Sequence, residues 1–260
     1  MDIRLDGRNA VITGASLGLG RAMAETFATS GANVALVARR ADVLAQTQAD
    51  IQALTDTKVV AITGDVSHAD GCQSVIDEAA NALGNVDILV NNAGSSARGA
   101  FDTVSDADWQ ADFDLKVFAA IRLCRAVLPG MKSRQWGRII NVLNTGAKAP
   151  PAEGAPTAVS RAAGMALTKI LSAEGAPHNV LVNGLMVGRI ESDQWVRRHE
   201  AAGTNASLED YYDDLGKSLP MGRLGTAQEF ANIACLLASD AGGYVTGTAI
   251  NVDGGLCPVV

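Results

Sequence analysis

The sequence predicts an α/β fold in which helices cover both faces of a doubly wound, mainly parallel sheet of seven strands. Three observations support this class. Short β-branched or aliphatic runs alternate with longer helical patterns along the whole chain. The short runs are almost entirely apolar, which is typical of strands buried on both faces. No linker or low-complexity stretch interrupts the alternation, so we expect a single domain over residues 1–260.

The elements follow in chain order. Apolar runs predict strands at residues 9–14, 33–38, 58–65, 86–94, 137–144, 179–185 and 248–255. Helical patterns predict helices at residues 20–31, 41–54, 69–83, 105–133, 156–175 and 227–239. Each helix joins one strand to the next, which is the connection that parallel strands require. The irregular segment 189–220 is polar and is expected to cover the substrate as a loop or as short helices, because long insertions in compact domains are usually functional.

Composition limits the partners and the compartment. Of the 260 residues 48% are hydrophobic and 19% charged, which allows a large core. A net charge of −7 argues against nucleic acid and anionic membranes as partners. The sequence has no run of 18 consecutive apolar residues, so we expect no membrane-spanning helix. The first ten residues lack the apolar centre of a secretion signal. The four cysteines lie far apart, which suits a reducing cytoplasm: Cys72, Cys124, Cys235 and Cys257. The three histidines form no metal-ligand cluster: His68, His178 and His199.

The first strand and helix are joined by "TGASLGLG", residues 13–20. Its glycines let the backbone turn tightly and approach a pyrophosphate, and the helix start offers free N–H groups and a positive dipole end. Glycines also occur in plain turns, but this motif lies between a strand and a helix, the context that phosphate binding requires. The loop is therefore predicted to bind a dinucleotide through Gly14, Ser16, Leu17, Gly18, Leu19 and Gly20.

The end of the second predicted strand bears on the cofactor. A carboxylate there would bind the adenosine ribose hydroxyls, whereas an arginine favours a 2′-phosphate. The sequence has Ala38-Arg39-Arg40 and no carboxylate, so Arg39 favours NADP(H) over NAD(H). The alternative is that both arginines are solvated surface residues.

These motifs, with "GDV" (64–66), "NNAG" (91–94), "GRIINV" (137–142) and "LLASDAGGYVTGTAINVDGG" (236–255), resemble the classical short-chain dehydrogenases/reductases along almost the whole chain. The resemblance implies a Rossmann-type sheet and assembly as a homodimer or homotetramer through the helices near 105–133 and 156–175. It also implies adenine contacts from two residues and further cofactor contacts from three: Asp65 and Val66, then Asn91, Ala93 and Gly94.

The resemblance further implies a catalytic Asn, Ser, Tyr and Lys, but all four positions are substituted here, by Lys116, Asn144, Thr157 and Arg161. The frame "TAVSRAA" matches the family's Y-x-x-S-K-A-A without a gap. A threonine hydroxyl is a much weaker acid than a phenol. Arg161 can still donate hydrogen bonds to ribose hydroxyls, and Asn144 can donate or accept at a substrate oxygen. Lys116 either fills the cationic role or points to solvent or pairs with Asp112 or Asp114.

The nicotinamide end is predicted from "MVGRIES", residues 186–192. The family has Pro-Gly and a later threonine there, where this chain has Val187-Gly188 and Ser192. Gly188 permits close approach of a ligand. Ile190 can present backbone groups to a carboxamide, and Ser192 keeps a hydroxyl.

Three functions remain open. The favoured one is an atypical NADP(H)-dependent oxidoreductase that transfers hydride to or from a small carbonyl or alcohol substrate, with bound water or Lys116 as the proton source. The second is an NADP(H)-binding sensor or assembly subunit without redox catalysis, and the third is a non-redox enzyme on the same scaffold. Loss of the usual tyrosine and lysine keeps the second and third open.

Overall fold

A computed structural model of the chain describes residues 3–203 and 206–260. Seven parallel strands form one sheet in the order β3-β2-β1-β4-β6-β8-β9, and β5 and β7 form an antiparallel ribbon. The strands are β1 (Asn9–Thr13), β2 (Asn33–Ala38), β3 (Val59–Thr63), β4 (Ile88–Asn91), β5 (Arg98–Gly99), β6 (Gly137–Asn144), β7 (Ala155–Pro156), β8 (Val180–Val187) and β9 (Ala249–Val252).

The α-helices that the structure describes are α1 (Gly18–Thr29), α2 (Ala41–Gln52), α3 (Ala69–Leu83), α4 (Asp106–Phe113), α5 (Ala119–Arg134), α6 (Thr157–Gly175), α7 (Asp193–Ala202), α8 (Leu208–Gly216) and α9 (Ala227–Ala238). The predicted fold class is confirmed. Within the segment 189–220 the structure places α7 and α8, while residues 204 and 205 lie outside the described part.

The core has two halves, one on each face of the sheet. Successive residues of a strand point to opposite faces, so Ala10 and Ile12 join one apolar cluster and Val11 joins the other. The first cluster includes Phe27 of α1 and Phe230 of α9, both fully buried. The second includes Leu123 of α5. Both faces of β1 are therefore covered, which explains why its sequence is an unbroken apolar run.

Two predicted elements differ from the sequence pattern: one strand is shorter, and one helix is interrupted. The strand predicted at 86–94 stops at Asn91, because the next two backbone N–H groups donate to the Thr13 hydroxyl instead of a neighbouring strand. The helix predicted at 105–133 contains a π-helical turn, Asp114–Phe118, between α4 and α5. Such turns insert an extra residue and often occur at functional sites.

The sheet order places a crevice at the carboxyl ends of β1 and β4. The chain runs outward from β1 through β2 and β3 on one side and returns through β4 and β6 on the other. Open α/β sheets bind ligands at such a switch point. None of the described helices is long and apolar enough to cross a membrane.

Candidate active site

A cavity of about 1480 Å³ lies over the carboxyl ends of the central strands and extends from the start of α1 to α7. It collects nearly all residues that the sequence predicts for a site. These are Gly14, Ser16, Leu17, Gly18, Leu19, Gly20, Arg39, Asp65, Val66, Ala93, Gly94, Asn144, Thr157, Arg161, Gly188, Ile190 and Ser192. The predicted residues Asn91 and Lys116 do not line it.

The glycine loop between β1 and α1 has a shape that side chains would destroy. Gly18 has a φ of +54°, and a Cβ added there would meet nothing within 4 Å, so the loop is open on that side. A Cβ on Gly20 would lie 2.2 Å from the carbonyl oxygen of Gly14. Leu17, which precedes α1, supplies no side-chain cap, so the first N–H groups of the helix are left for a ligand. This cradle fits a pyrophosphate.

The crevice between β1 and β4 is held together by Thr13 and Asn92. The Thr13 hydroxyl accepts hydrogen bonds from the N–H groups of Asn92 and Ala93, both at 3.0 Å. The Asn92 side chain donates to the carbonyl oxygen of Thr13 at 2.8 Å. The neighbouring Asn91 points into the protein instead and donates to Asn141 at 2.8 Å. Asn92 is thus the member of this pair that lines the cavity, and a cofactor contact from Asn91 stays a prediction.

The part of the cavity next to β2 and β3 is lined by charged residues. Arg39 and Arg40 are exposed there, and Asp65 accepts hydrogen bonds from the N–H and the hydroxyl of Ser67 at 2.9 and 2.7 Å. Burial raises the pKa of Asp65, but the hydrogen bonds from Ser67 outweigh it and the net pKa is lowered. Asp65 is therefore an anion, able to accept hydrogen bonds from a ligand.

Arg161 of α6 forms part of the cavity wall. Its Nη1 donates to the carbonyl oxygen of Val142 at 2.6 Å, and its Nη2 lies 2.6 Å from where a Cβ on Gly94 would be. Burial lowers the pKa of Arg161 to about 10, while the charge of Asp112 opposes that shift. The guanidinium is a cation at neutral pH, and glycine at position 94 leaves room for it.

Two buried polar atoms in this wall lack hydrogen-bond partners within the described residues: Nε of Arg161 and Oδ1 of Asn144. Asn144 is the last residue of β6, and both residues line the cavity. Buried polar groups nearly always have partners. One donor and one acceptor of the wall are thus left without a protein partner.

A buried ionic network lies directly behind the wall. The π-helical turn directs Lys116 inward, where its ammonium forms an ion pair with Asp112, one helical turn earlier. Lys116 also donates to the Thr157 hydroxyl at 2.8 Å, and Ser160 donates to Asp112 at 2.5 Å. The Lys116 and Asp112 side chains are only 1% and 2% exposed. Of the placements considered for Lys116, the pairing with Asp112 is confirmed.

The position of Lys116 weakens its hold on its proton. Desolvation, and then the nearby charge of Arg161, lower the pKa of Lys116 to about 8, although its contact with Asp112 acts in the other direction. Lys116 shares a separate space of only about 10 Å³ with Arg161. Lys116 therefore contacts the wall of the main cavity from behind, through its hydrogen bond to Thr157.

The Thr157 hydroxyl is fully engaged. It accepts hydrogen bonds from Lys116 at 2.8 Å and from the N–H of Ala97 at 3.0 Å, and it donates to Asp112 at 3.2 Å. A hydroxyl has one proton and two lone pairs, so these three contacts use its whole capacity. Thr157 is 3% exposed. It can give a proton to a ligand only by releasing Asp112.

The cavity mouth contains residues that sequence reasoning did not assign. Arg98, Arg189, Arg197 and Arg198 line it together with Trp195. Three of these arginines and Trp195 belong to the irregular segment 189–220. The prediction that this segment covers the substrate could have drawn attention to them. Arg98 lies on β5, a two-residue strand too short to leave a pattern. Among the described residues no His, Cys, Asp and Glu cluster could hold a metal ion.

Comparison with known proteins gives consistent results. A family model described as short chain dehydrogenase matches residues 8–202. The 3-oxoacyl-(acyl-carrier-protein) reductase of Escherichia coli K12 is 32% identical over 257 residues, 98% of this chain and 99% of that protein. The NADPH-dependent reductase BacG of Bacillus subtilis is 31% identical, over 95% and 97% of the two chains. The structure of L-sorbose reductase from Gluconobacter frateurii, complexed with NADPH and L-sorbose, has a TM-score of 0.95 at 33% identity and covers 100% of both chains.

Proposed function

Because the chain belongs to the short-chain dehydrogenase family, we propose that it is an NADP(H)-dependent oxidoreductase that interconverts a carbonyl compound and its alcohol. One observation carries the proposal. A single cavity joins the glycine cradle, the arginines after β2, and the unpartnered polar atoms of Arg161 and Asn144. A redox site of this kind needs nucleotide binding at one end and polar groups near the reacting carbon at the other.

Distinct parts of the cavity would hold the cofactor. The glycine cradle fits the pyrophosphate, Arg39 and Arg40 fit a 2′-phosphate, and Asp65 with Val66 fits the adenosine. Relatives that are described as NADPH-dependent or that were crystallised with NADPH support NADP(H) over NAD(H). Bound NADPH would supply the hydride that reduces the carbonyl carbon.

At the nicotinamide end, Gly94 leaves room beside Arg161, whose unpartnered Nε suits a ribose hydroxyl. The predicted contacts of Gly188, Ile190 and Ser192 with the carboxamide are retained in the proposal, since all three line the cavity.

We place Lys116, Asn144, Thr157 and Arg161 at the four catalytic positions of the family, which makes this an atypical member. The Asn144 amide can donate a hydrogen bond to the substrate oxygen. The fixed charge of Arg161 stabilises the negative charge that grows on that oxygen during hydride transfer. The proton then comes from water in the cavity, because the Thr157 hydroxyl is engaged and Lys116 lies behind the wall. Substrates with intrinsically reactive carbonyls suit such a site.

The buried network favours one alternative. The network engages the Thr157 hydroxyl and the Lys116 ammonium. If cavity water does not supply the proton either, the chain binds NADP(H) without redox catalysis and acts as a sensor or assembly subunit. Calorimetric titration with NADPH and NADH, followed by NADPH oxidation assays with a reactive 1,2-diketone, separates the two functions. Tight NADPH binding with turnover supports the oxidoreductase, and tight binding without turnover across a broad carbonyl panel supports the alternative. Absence of binding refutes both.

The Arg39→Glu variant tests the cofactor assignment. A carboxylate at this position repels a 2′-phosphate and can accept hydrogen bonds from ribose hydroxyls. We expect NADPH affinity to fall by at least about tenfold while NADH affinity holds or rises. The Arg125→Gln variant is the control, since Arg125 is exposed on α5 and does not line the cavity.

The proposal also covers the domain organisation and the oligomeric state. We propose a single domain over residues 1–260, in which the segment 189–220 covers the substrate and α5 and α6 form a homodimer or homotetramer interface. Exposed apolar residues on α6, Val159 at 47% and Ile170 at 58%, support such an interface. Light scattering after size-exclusion chromatography measures the assembly, and Ile170→Glu should shift it toward the monomer.

A further inference from the structure

We propose that the substrate carries an oxyanion, a carboxylate or a phosphate ester, which is bound by Arg98, Arg189, Arg197 and Arg198. These four residues are called the mouth arginines below. The inference rests on the proposed oxidoreductase function and names the chemical class of its substrate.

The mouth arginines lie on the opposite side of the switch point from the arginines assigned to the cofactor. Arg39 follows β2, on the β3 side of the glycine loop. Arg98 follows β4 and Arg189 follows β8, on the other side of that loop, and α7 carries the remaining two. The 2′-phosphate and the pyrophosphate are thus matched by groups near β2 and β1. The cations at the β8 end are left for another anion.

The charge of the cavity is opposite to that of the chain. The net charge is −7, yet among the described residues that line the cavity Asp65 is the single carboxylate, and it lies at the adenosine end. A cleft lined by one sign of charge attracts ligands of the opposite sign. A neutral substrate would make no use of this arrangement.

The mouth arginines also lack carboxylate partners. Within the described residues none of them belongs to an ion pair, whereas several other arginines do: Arg21, Arg122, Arg134, Arg138 and Arg223. Arg189 donates to the Ser218 hydroxyl at 3.0 Å, and the Arg198 guanidinium lies 4.6 Å from the Trp195 ring centroid. These contacts orient the guanidinium groups without neutralising them.

Guanidinium groups suit this task because their planar donors match the two oxygens of a carboxylate or the oxygens of a phosphate. Arg189 is only half-buried and the other three are exposed, so bound substrate must displace water from them. Trp195 adds an aromatic face against which the carbon skeleton of a small substrate can pack. The geometry thus combines anion recognition with a short apolar surface.

The test compares charged and neutral probes that are otherwise alike. Pyruvate is paired with methyl pyruvate, and fructose 6-phosphate with fructose. Binding of each to the NADP⁺-loaded protein is measured by calorimetry, which requires no turnover, so the inference can fail independently of the proposed function. We expect at least one charged probe to bind about tenfold or more tighter than its neutral partner. The pair with the larger ratio identifies a carboxylate or a phosphate as the group recognised.

In the double variant Arg197→Gln/Arg198→Gln, the ratio of the affinities for the charged and the neutral probe should fall close to one. In the control Arg125→Gln this ratio should stay as in the wild type. The preference should also shrink as salt is raised, since exposed charges are screened. Equal affinity within both pairs, or no detectable binding of either charged probe, would overturn the proposal. It is equally wrong if the double variant weakens NADPH binding and leaves the ratio unchanged, because these arginines would then serve the cofactor.

Discussion

The Asp112→Asn variant tests whether the buried network stabilises the protein as its contacts indicate. The substitution keeps the shape of the side chain and removes its charge. Lys116 then has no carboxylate partner in its buried position, and the positive charge of Arg161 lies nearby. Ser160 and Thr157 lose a charged acceptor for their hydroxyl groups.

The size of the effect follows from burial. With side chains only 1% and 2% exposed, the Lys116–Asp112 pair is shielded from water. Removing one partner of a buried pair typically costs about 3–5 kcal/mol, because an uncompensated charge remains. For a chain of this length that corresponds to a fall of roughly 6–20 °C in Tm. The double variant Asp112→Asn/Lys116→Met removes both charges and should recover most of the loss.

Stability should also depend on pH in a defined direction. The pKa of Lys116 is lowered from 10.5 to about 8, so between these values the unfolded chain binds more protons than the folded chain. The free energy of unfolding therefore rises with pH across this window. Asp112→Asn removes a contact that raises this pKa, so the window extends toward neutral pH. The loss of unfolding free energy in the variant should be largest at neutral pH and should shrink as pH rises to about 8, where Lys116 of the wild type also loses its proton.

The measurement is urea unfolding of the wild type and the variants at several pH values between 7 and 10. Asp114→Asn is the matched control, because Asp114 lies two residues further on, at the start of the π-helical turn, with its partner Arg122 at 3.7 Å and a side chain 29% exposed. Its loss should cost less than about 1 kcal/mol. The reasoning is refuted if Asp112→Asn costs no more than this control, or if the double variant is no more stable than the single one.

Three further outcomes are expected. Gly20→Ala should weaken NADPH binding measured by calorimetry by more than about tenfold, because its Cβ would lie 2.2 Å from the Gly14 carbonyl oxygen. Trp136→Leu should lower the free energy of unfolding in urea by about 2 kcal/mol, whereas Trp136→Phe should lose less, because the ring centroid lies 4.3 Å from the buried Arg138 guanidinium. A hydrogen-bonded arginine lowers the pKa of Glu229 from 4.5 to about 2, so its stabilising contribution is present above pH 4.5 and is lost as pH falls toward 2. Glu229→Gln should therefore flatten the acid limb of a thermal-stability profile.

The sequence predicted those features that depend on local patterns. Apolar runs located all seven strands of the main sheet, and a glycine motif between a strand and a helix located the cradle. Both signals reflect short-range physics: alternate burial of strand residues, and backbone angles that only glycine adopts freely. The handedness of strand–helix–strand units limits the possible sheet orders but does not select one of them.

Features that depend on distant contacts were not predictable. The sequence could not tell which of Asn91 and Asn92 faces the cavity, since that depends on how the Thr13 hydroxyl ends β4. The sequence left several placements of Lys116 open, because the π-helical turn that directs it toward Asp112 leaves no pattern of apolar residues in the sequence. The mouth arginines come from β5, the segment after β8 and α7, and only the folded chain brings them together.

The saturated hydroxyl of Thr157 has a consequence for how this site can change over generations. Any residue without a hydroxyl at that position leaves Asp112, Lys116 and the N–H of Ala97 each short of a partner. A single substitution that removes this hydroxyl is therefore expected to destabilise the fold. Removing Asp112 or Lys116 alone leaves a buried charge unpaired as well, so changes at 112, 116 and 157 depend on one another. Each of the residues Asp112, Lys116 and Thr157 thus increases the loss of stability that replacement of the other two would cause.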